Sequence, residues 1–308
     1  MPTKWQIPPC IGDLMSNKGK ALSYNVCLWL VLVVFCMQFV VSFCLKNYWH
    51  QWFGNKPGSY TYILMTQLFS IVIPCLLVGI FCGKSFKRTF NVRKLKLSET
   101  VKCIFLGICL QPVAIFTNIP LQNLRASQGS IVSPPENFVQ ILTMILFVCI
   151  VPALCEEFFI RGMVIETVKK KGFAFSVLVT TVMFVILHAD VSSAVGYAVL
   201  GFAAAVAVLN TNSVFAGFFV HFAFNACGVL LDYFLNIRYV PNGFVGSFDF
   251  FMATGIVGLV FSIAFLYMLN NNKTKKYKSE DILYNVWEAF INIPFAAIIT
   301  LYILYAVM

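Results

Sequence analysis

Long apolar runs separated by short polar or charged stretches recur from residue 24 to the end of the chain. A helix rises ~1.5 Å per residue, so about 20 apolar residues cross a ~30 Å hydrocarbon core. The runs predict nine membrane helices, over 24–45, 60–82, 100–119, 138–168, 173–188, 193–209, 214–235, 248–269 and 286–306. The ~10-residue alternation of a transmembrane β-barrel is missing, and an open sheet would leave backbone groups unsatisfied in lipid. With no internal repeat, low-complexity linker or soluble segment, residues 1–308 read as one all-α, polytopic membrane helix bundle.

Composition agrees with the pattern. Hydrophobic residues make up 60% and charged residues 11%, where soluble domains carry roughly a quarter charged. The net charge of +10 could point to nucleic acid, but Lys and Arg sit in short clusters between apolar runs, a pattern that sets topology. With a cytoplasmic N-terminus, seventeen of the 22 Lys and Arg fall on the inner side: Lys4 to Lys20, Lys84 to Lys102, Lys169 to Lys171 and Lys273 to Lys278. Only Lys46, Lys56, Arg125 and Arg238 fall outside, and Arg161 lies within a span. The bias predicts a multi-pass cell-membrane protein with its N-terminus in and its C-terminus out, its clusters serving orientation and contact with anionic lipid. Twenty-three mostly polar residues precede the first apolar run and no A-x-A-like site follows it, so that run is expected to stay as a signal-anchor. The eleven Cys show neither CxxC nor zinc-like spacing and read as small buried apolar residues.

Ionisable side chains in hydrocarbon cost at least ~2.5–3.5 kcal/mol each on insertion scales, so each needs a partner or a task. The fourth run holds Glu156, Glu157, Arg161 and then Glu166; the fifth ends in His188; the seventh contains His221 and Asn225. The remaining histidine, His50, falls in a predicted outer loop. Glu157 and Arg161 are four apart with the acid first, the favourable order for an ion pair, which leaves Glu156 on an adjacent face. His221 and Asn225, also four apart, share one face of the seventh span. The turn near Gly172 lies midway between Glu156 and His188, so an antiparallel hairpin sets both at one depth, about 24 Å from the turn. His221 and Asn225, about 13–20 Å above their own turn, reach a similar level.

A carboxylate beside imidazole in a low-dielectric chamber is suited to take a proton from water. Amide and imidazole groups can donate to the oxyanion formed when that water attacks a peptide carbonyl. Glu156 is then the candidate base, with His188 positioning it or the water, and the helices must enclose a wet cavity. Each motif alone has a structural reading: Glu157–Arg161 as a pair locking two helices, a histidine as interhelical glue, Phe184 as packing, Gly162 as a site of close helix approach.

At these residues the chain resembles the CPBP family of intramembrane proteases, which includes the CAAX-protease and bacteriocin-processing (abortive-infection) proteins. The family pattern EExxxR, FxxxH, HxxxN is met by Glu156, Glu157 and Arg161, by Phe184 and His188, and by His221 and Asn225. The resemblance covers the fourth to seventh spans, a CPBP-like core over 137–235. It implies an all-α membrane fold, Glu156 as the water-activating base, His188 assisting, and His221 with Asn225 as an oxyanion site. It also favours metal-free catalysis; zinc, if used, would fall to Glu156, His188 and His221, although HExxH is missing. The implied substrate is a peptide or protein tail at the membrane, with bacteriocin or pheromone peptide processing, or self-immunity, as the biology. Abundant Lys, Asn, Ile and Phe fit an AT-rich bacterial genome. Two other readings use the same residues. One is a non-catalytic regulator of this fold that binds a sensor kinase or transporter. The other is a transporter or proton relay, which repeats or Gly/Pro-broken helix pairs would support.

Overall fold

A computed structural model describes residues 24–54, 58–82, 90–121, 132–234, 248–270 and 289–307. Among them lie nine apolar helices and no strand. We number them α1 (Tyr24–Asn47), α2 (59–82), α3 (Leu97–Asn118), α4 (Phe138–Val168), α5 (Phe173–His188), α6 (Ala194–Thr211), α7 (Val214–Phe234), α8 (Phe248–Leu269) and α9 (Ile293–Val307). Seven are long and apolar enough to cross a membrane, while α5 and α9 are shorter. The protein is a multi-pass, all-α membrane bundle.

Helix ends depart from the apolar pattern where polar residues cap rather than interrupt. The third helix starts at Leu97, ahead of the expected 100, because the Glu99 carboxylate accepts from Lys96 N at 3.0 Å and so satisfies a first-turn donor. Asn137 caps α4, its side chain accepting from Gln140 N at 3.0 Å. Asn212 ends α6 in the left-handed region at φ 53°. The expected positions 235 and 286–288 lie outside the described residues, as do Lys4, Lys18, Lys20, Lys56, Lys84, Lys87, Arg88, Arg125, Arg238 and the Lys273–Lys278 cluster of the topology argument.

Two helices widen into π-helical turns ahead of a proline, Leu68–Val72 before Pro74 and Ile145–Ile150 before Pro152. Proline brings no N–H and crowds the carbonyl four residues back; a wider turn relieves both. A third π-helical stretch, Phe158–Val164, follows directly on Glu156 and Glu157. The carboxylates therefore sit on a short α-helical segment, Val151–Glu157, between two wide turns.

The core is built around α3, which packs against α6, α7 and α8, while α5 packs on α6 and α7 lies along α4. Small residues set the closest approaches: a Cβ on Gly107 would fall 2.2 Å from Val220 O, so α3 and α7 touch backbone to backbone. The hairpin between α4 and α5 turns at Gly172, whose φ of 126° suits glycine.

Candidate active site

The α4–α5 hairpin brings Glu156 and His188 level. Glu156 Oε2 stands 3.4 Å from His188 Nε2, their side chains 13% and 18% exposed. Glu157 and Arg161, by contrast, are both 0% exposed. This difference divides the two adjacent acids: Glu156 is part-buried, and Glu157 is sealed.

His188 is held from both faces. Its Nδ1 lies 2.8 Å from Phe184 O, an acceptor only, so Nδ1 carries the hydrogen. Its ring stacks on Tyr197 of α6 at 3.9 Å and 30°. With Nδ1–H given to the backbone, Nε2 meets a carboxylate favourably only when it is protonated too, or when an O–H stands between them. The Glu156–His188 pair is thus a site for one shared proton.

The sealed acid organises a second group. Glu157 Oε1 accepts from Arg161 Nη1 at 2.7 Å and from His221 Nδ1 at 3.1 Å. Arg161 Nη2 donates to Gly201 O at 2.9 Å, and its guanidinium lies 4.3 Å above the Phe184 ring. A buried carboxylate and guanidinium neutralise each other here, as the i,i+4 spacing predicted. Sequence spacing set His221 and Asn225 on one face; the structure adds Glu157 behind His221, which takes up its Nδ1 and not its Nε2. The bare Cα of Gly217 permits this, since a Cβ there would lie 2.4 Å from Glu157 Oε2.

Phe184 packs beside both groups, its ring 4.5 Å from that of His188 and 5.4 Å from that of His221. Asn225 bonds elsewhere: its Nδ2 donates to Val148 O at 3.4 Å. That carbonyl lies four residues before Pro152, which has no N–H to offer it. Glu166 pairs with Lys169 at the end of α4, and His50 belongs to a short helix, Trp49–Phe53. Neither joins the site.

Zinc needs three or four converging donors. Among the described residues no group of three His, Cys, Asp or Glu is placed to hold a metal ion. Glu156, His188 and His221 therefore do not form such a group, although the Nδ1 of each histidine is engaged and its Nε2 is not.

Three contributors escaped the sequence reading. Gln67 of α2 donates from Nε2 to Glu156 Oε1 at 2.9 Å; its signal was an amide inside an apolar run. Tyr197 and Gly217 gave none, since neither type is unusual in a membrane helix. Beside the Glu156 turn, α2 and α4 border an apolar cleft of about 300 Å³ lined by Ile71, Cys75, Leu154, Cys155 and Phe158 among others.

No curated protein and no solved structure matches the chain. Residues 138–227 match the family described as "Type II CAAX prenyl endopeptidase Rce1-like", a stretch that runs from the start of α4 into α7 and contains Glu156, Glu157, Arg161, Phe184, His188, His221 and Asn225. This segment carries the domain of the CPBP, or CAAX-protease, family.

Proposed function

We propose that the protein is a glutamate-dependent intramembrane endopeptidase. The observation that carries this reading is the Glu156–His188 pair: partly exposed, 3.4 Å apart, and set in an otherwise apolar bundle.

In the proposed reaction a water molecule gives a proton to Glu156 Oε2, and its oxygen attacks the carbonyl carbon of the scissile peptide bond. His188, held by Phe184 O, steadies the shared proton. The oxyanion is met by His221 Nε2–H, available when the imidazole is charged against Glu157, and by Asn225 Nδ2, whose 3.4 Å bond to Val148 O is long enough to exchange. Collapse of the tetrahedral intermediate breaks the C–N bond, and the proton held by the Glu156–His188 pair passes to the leaving amine. No metal is needed for this sequence.

The cleft between α2 and α4 suits an apolar substrate chain, in keeping with the prenylated tails that the family's description names. In a bacterial cell the same chemistry would serve bacteriocin or pheromone peptide processing, self-immunity or abortive infection. A cytoplasmic N-terminus places the α4–α5 turn, with Lys169 and Lys171, on the cytoplasmic side.

The test is mass spectrometry of membrane peptides from cells carrying wild-type or Glu156→Gln protein. We expect at least one peptide whose new terminus requires Glu156. Identical peptide sets, with an unchanged cellular phenotype, would replace the protease reading with that of a non-catalytic regulator.

A further inference from the structure

Gln67 lies in α2, outside the family segment at 138–227. It is the last α-helical residue before the π-helical turn Leu68–Val72, the turn that precedes Pro74. Its Nε2 donates to Glu156 Oε1 at 2.9 Å across an 89-residue separation. The direction of the bond is fixed, because an ionised carboxylate only accepts and an amide must present its N–H₂ to it.

Two buried oxygens flank this bond. Glu156 Oε2 and Gln67 Oε1 accept no hydrogen bond from the described residues. An amide serving only as interhelical glue would satisfy both its ends. Gln67 satisfies one, and that one restrains the carboxylate: with Oε1 tied to α2, rotation about the terminal bond of Glu156 costs this hydrogen bond, and Oε2 is the oxygen turned to His188 Nε2 at 3.4 Å.

We propose that Gln67 is a positioning residue of the active site, acting through Glu156: it reserves Oε1 as the anchored oxygen and Oε2 as the proton acceptor. The inference rests on the endopeptidase reading. It also assigns α2, which borders the apolar cleft, a part in setting the geometry of catalysis. Any movement of α2 that breaks the 2.9 Å bond frees the carboxylate to rotate and lowers turnover without removing a motif residue.

The experiment uses the full-length protein in detergent micelles with an internally quenched, farnesylated CaaX peptide as probe. The variants are Gln67→Met, which keeps length and loses the donor, and Gln67→Glu, which keeps shape and faces the carboxylate with a second acceptor. Glu156→Gln and the Glu156→Gln/Gln67→Met double variant complete a cycle. We expect kcat to fall at least tenfold in both Gln67 variants, KM to change less than twofold, Tm to hold within a few degrees, and the double variant to be no worse than Glu156→Gln alone. Wild-type kcat in Gln67→Met, where Glu156→Gln is inactive, overturns the inference and leaves the protease reading standing. A kcat loss that tracks a fall in Tm, or that adds to the loss in Glu156→Gln, overturns it as well, because the role is then structural. Wild-type activity in Glu156→Gln overturns both.

Discussion

Replacing Gly217 by alanine sets two opposing effects against each other. In a helix interior alanine is favoured over glycine by about 1 kcal/mol, so propensity alone predicts a more stable protein. The structure predicts the reverse. The new methyl would lie 2.4 Å from Glu157 Oε2, 3.3 Å from Glu157 Cδ and 3.0 Å from Val208 Cγ2, where ordinary contact begins near 3.4 Å. The carboxylate must retreat by about 1 Å, or α7 must lift away from α4. Either movement opens the 3.1 Å bond from His221 Nδ1 and disturbs the 2.7 Å bond from Arg161. A hydrogen bond to a charged group contributes about 1.5–3 kcal/mol, which exceeds the gain in propensity, and a misplacement near 1 Å can cost about 100-fold in rate. We therefore expect Gly217→Ala to lower Tm and to reduce kcat by about 10- to 100-fold on the quenched peptide. Glu157→Asp in the same chain shortens the acid by one methylene and should restore part of the activity. Wild-type turnover in Gly217→Ala with an equal or higher Tm would refute the claim that Glu157 positions His221.

Four further outcomes follow from the same geometry. Arg161→Leu leaves the Glu157 carboxylate buried without its cation and should destabilise by about 3–5 kcal/mol in thermal unfolding, whereas Arg161→Leu with Glu157→Leu recovers much of that loss. Asn225→Ala removes a proposed oxyanion donor and should lower kcat by about 10²- to 10³-fold at similar KM; a loss of stability without a kcat effect would restrict Asn225 to serving Val148 O. Incubating the purified protein with a strong chelator should leave activity unchanged, and a loss restored by added zinc would refute the carboxylate mechanism. Gly172→Ala forces a side chain into φ 126° and should cost about 1–3 kcal/mol in Tm measurements while leaving kcat unaltered at 25 °C.

Most span boundaries were readable to within a few residues because lipid leaves an apolar helix few alternatives; α9 is the exception, starting at Ile293 rather than 286, where Asn292 Oδ1 accepts from Phe295 N at 2.9 Å. Their errors arise at caps such as Glu99, which the apolar pattern counts against a helix. Glu156 and His188 were placed together by their equal distance from Gly172, a relation that holds for any antiparallel hairpin. The partner of His221 could not be read in this way. Spacing along α7 ties His221 to Asn225, but its hydrogen bond crosses to Glu157 on α4 through the gap that Gly217 leaves.

What the sequence determined by itself is the solvent and the inventory: an apolar bundle in lipid, holding a few polar groups too costly to lack partners, in an order that resembles one protease family. Tertiary structure decided which oxygen meets which nitrogen. Phe184 packs beside both a part-buried Glu156–His188 pair and a sealed Glu157–Arg161–His221 cluster, and Gln67 reaches in from another helix. These outcomes depend on helix rotation and on approach distances of a few tenths of an ångström. Packing between helices sets both, and no periodicity within one helix encodes them.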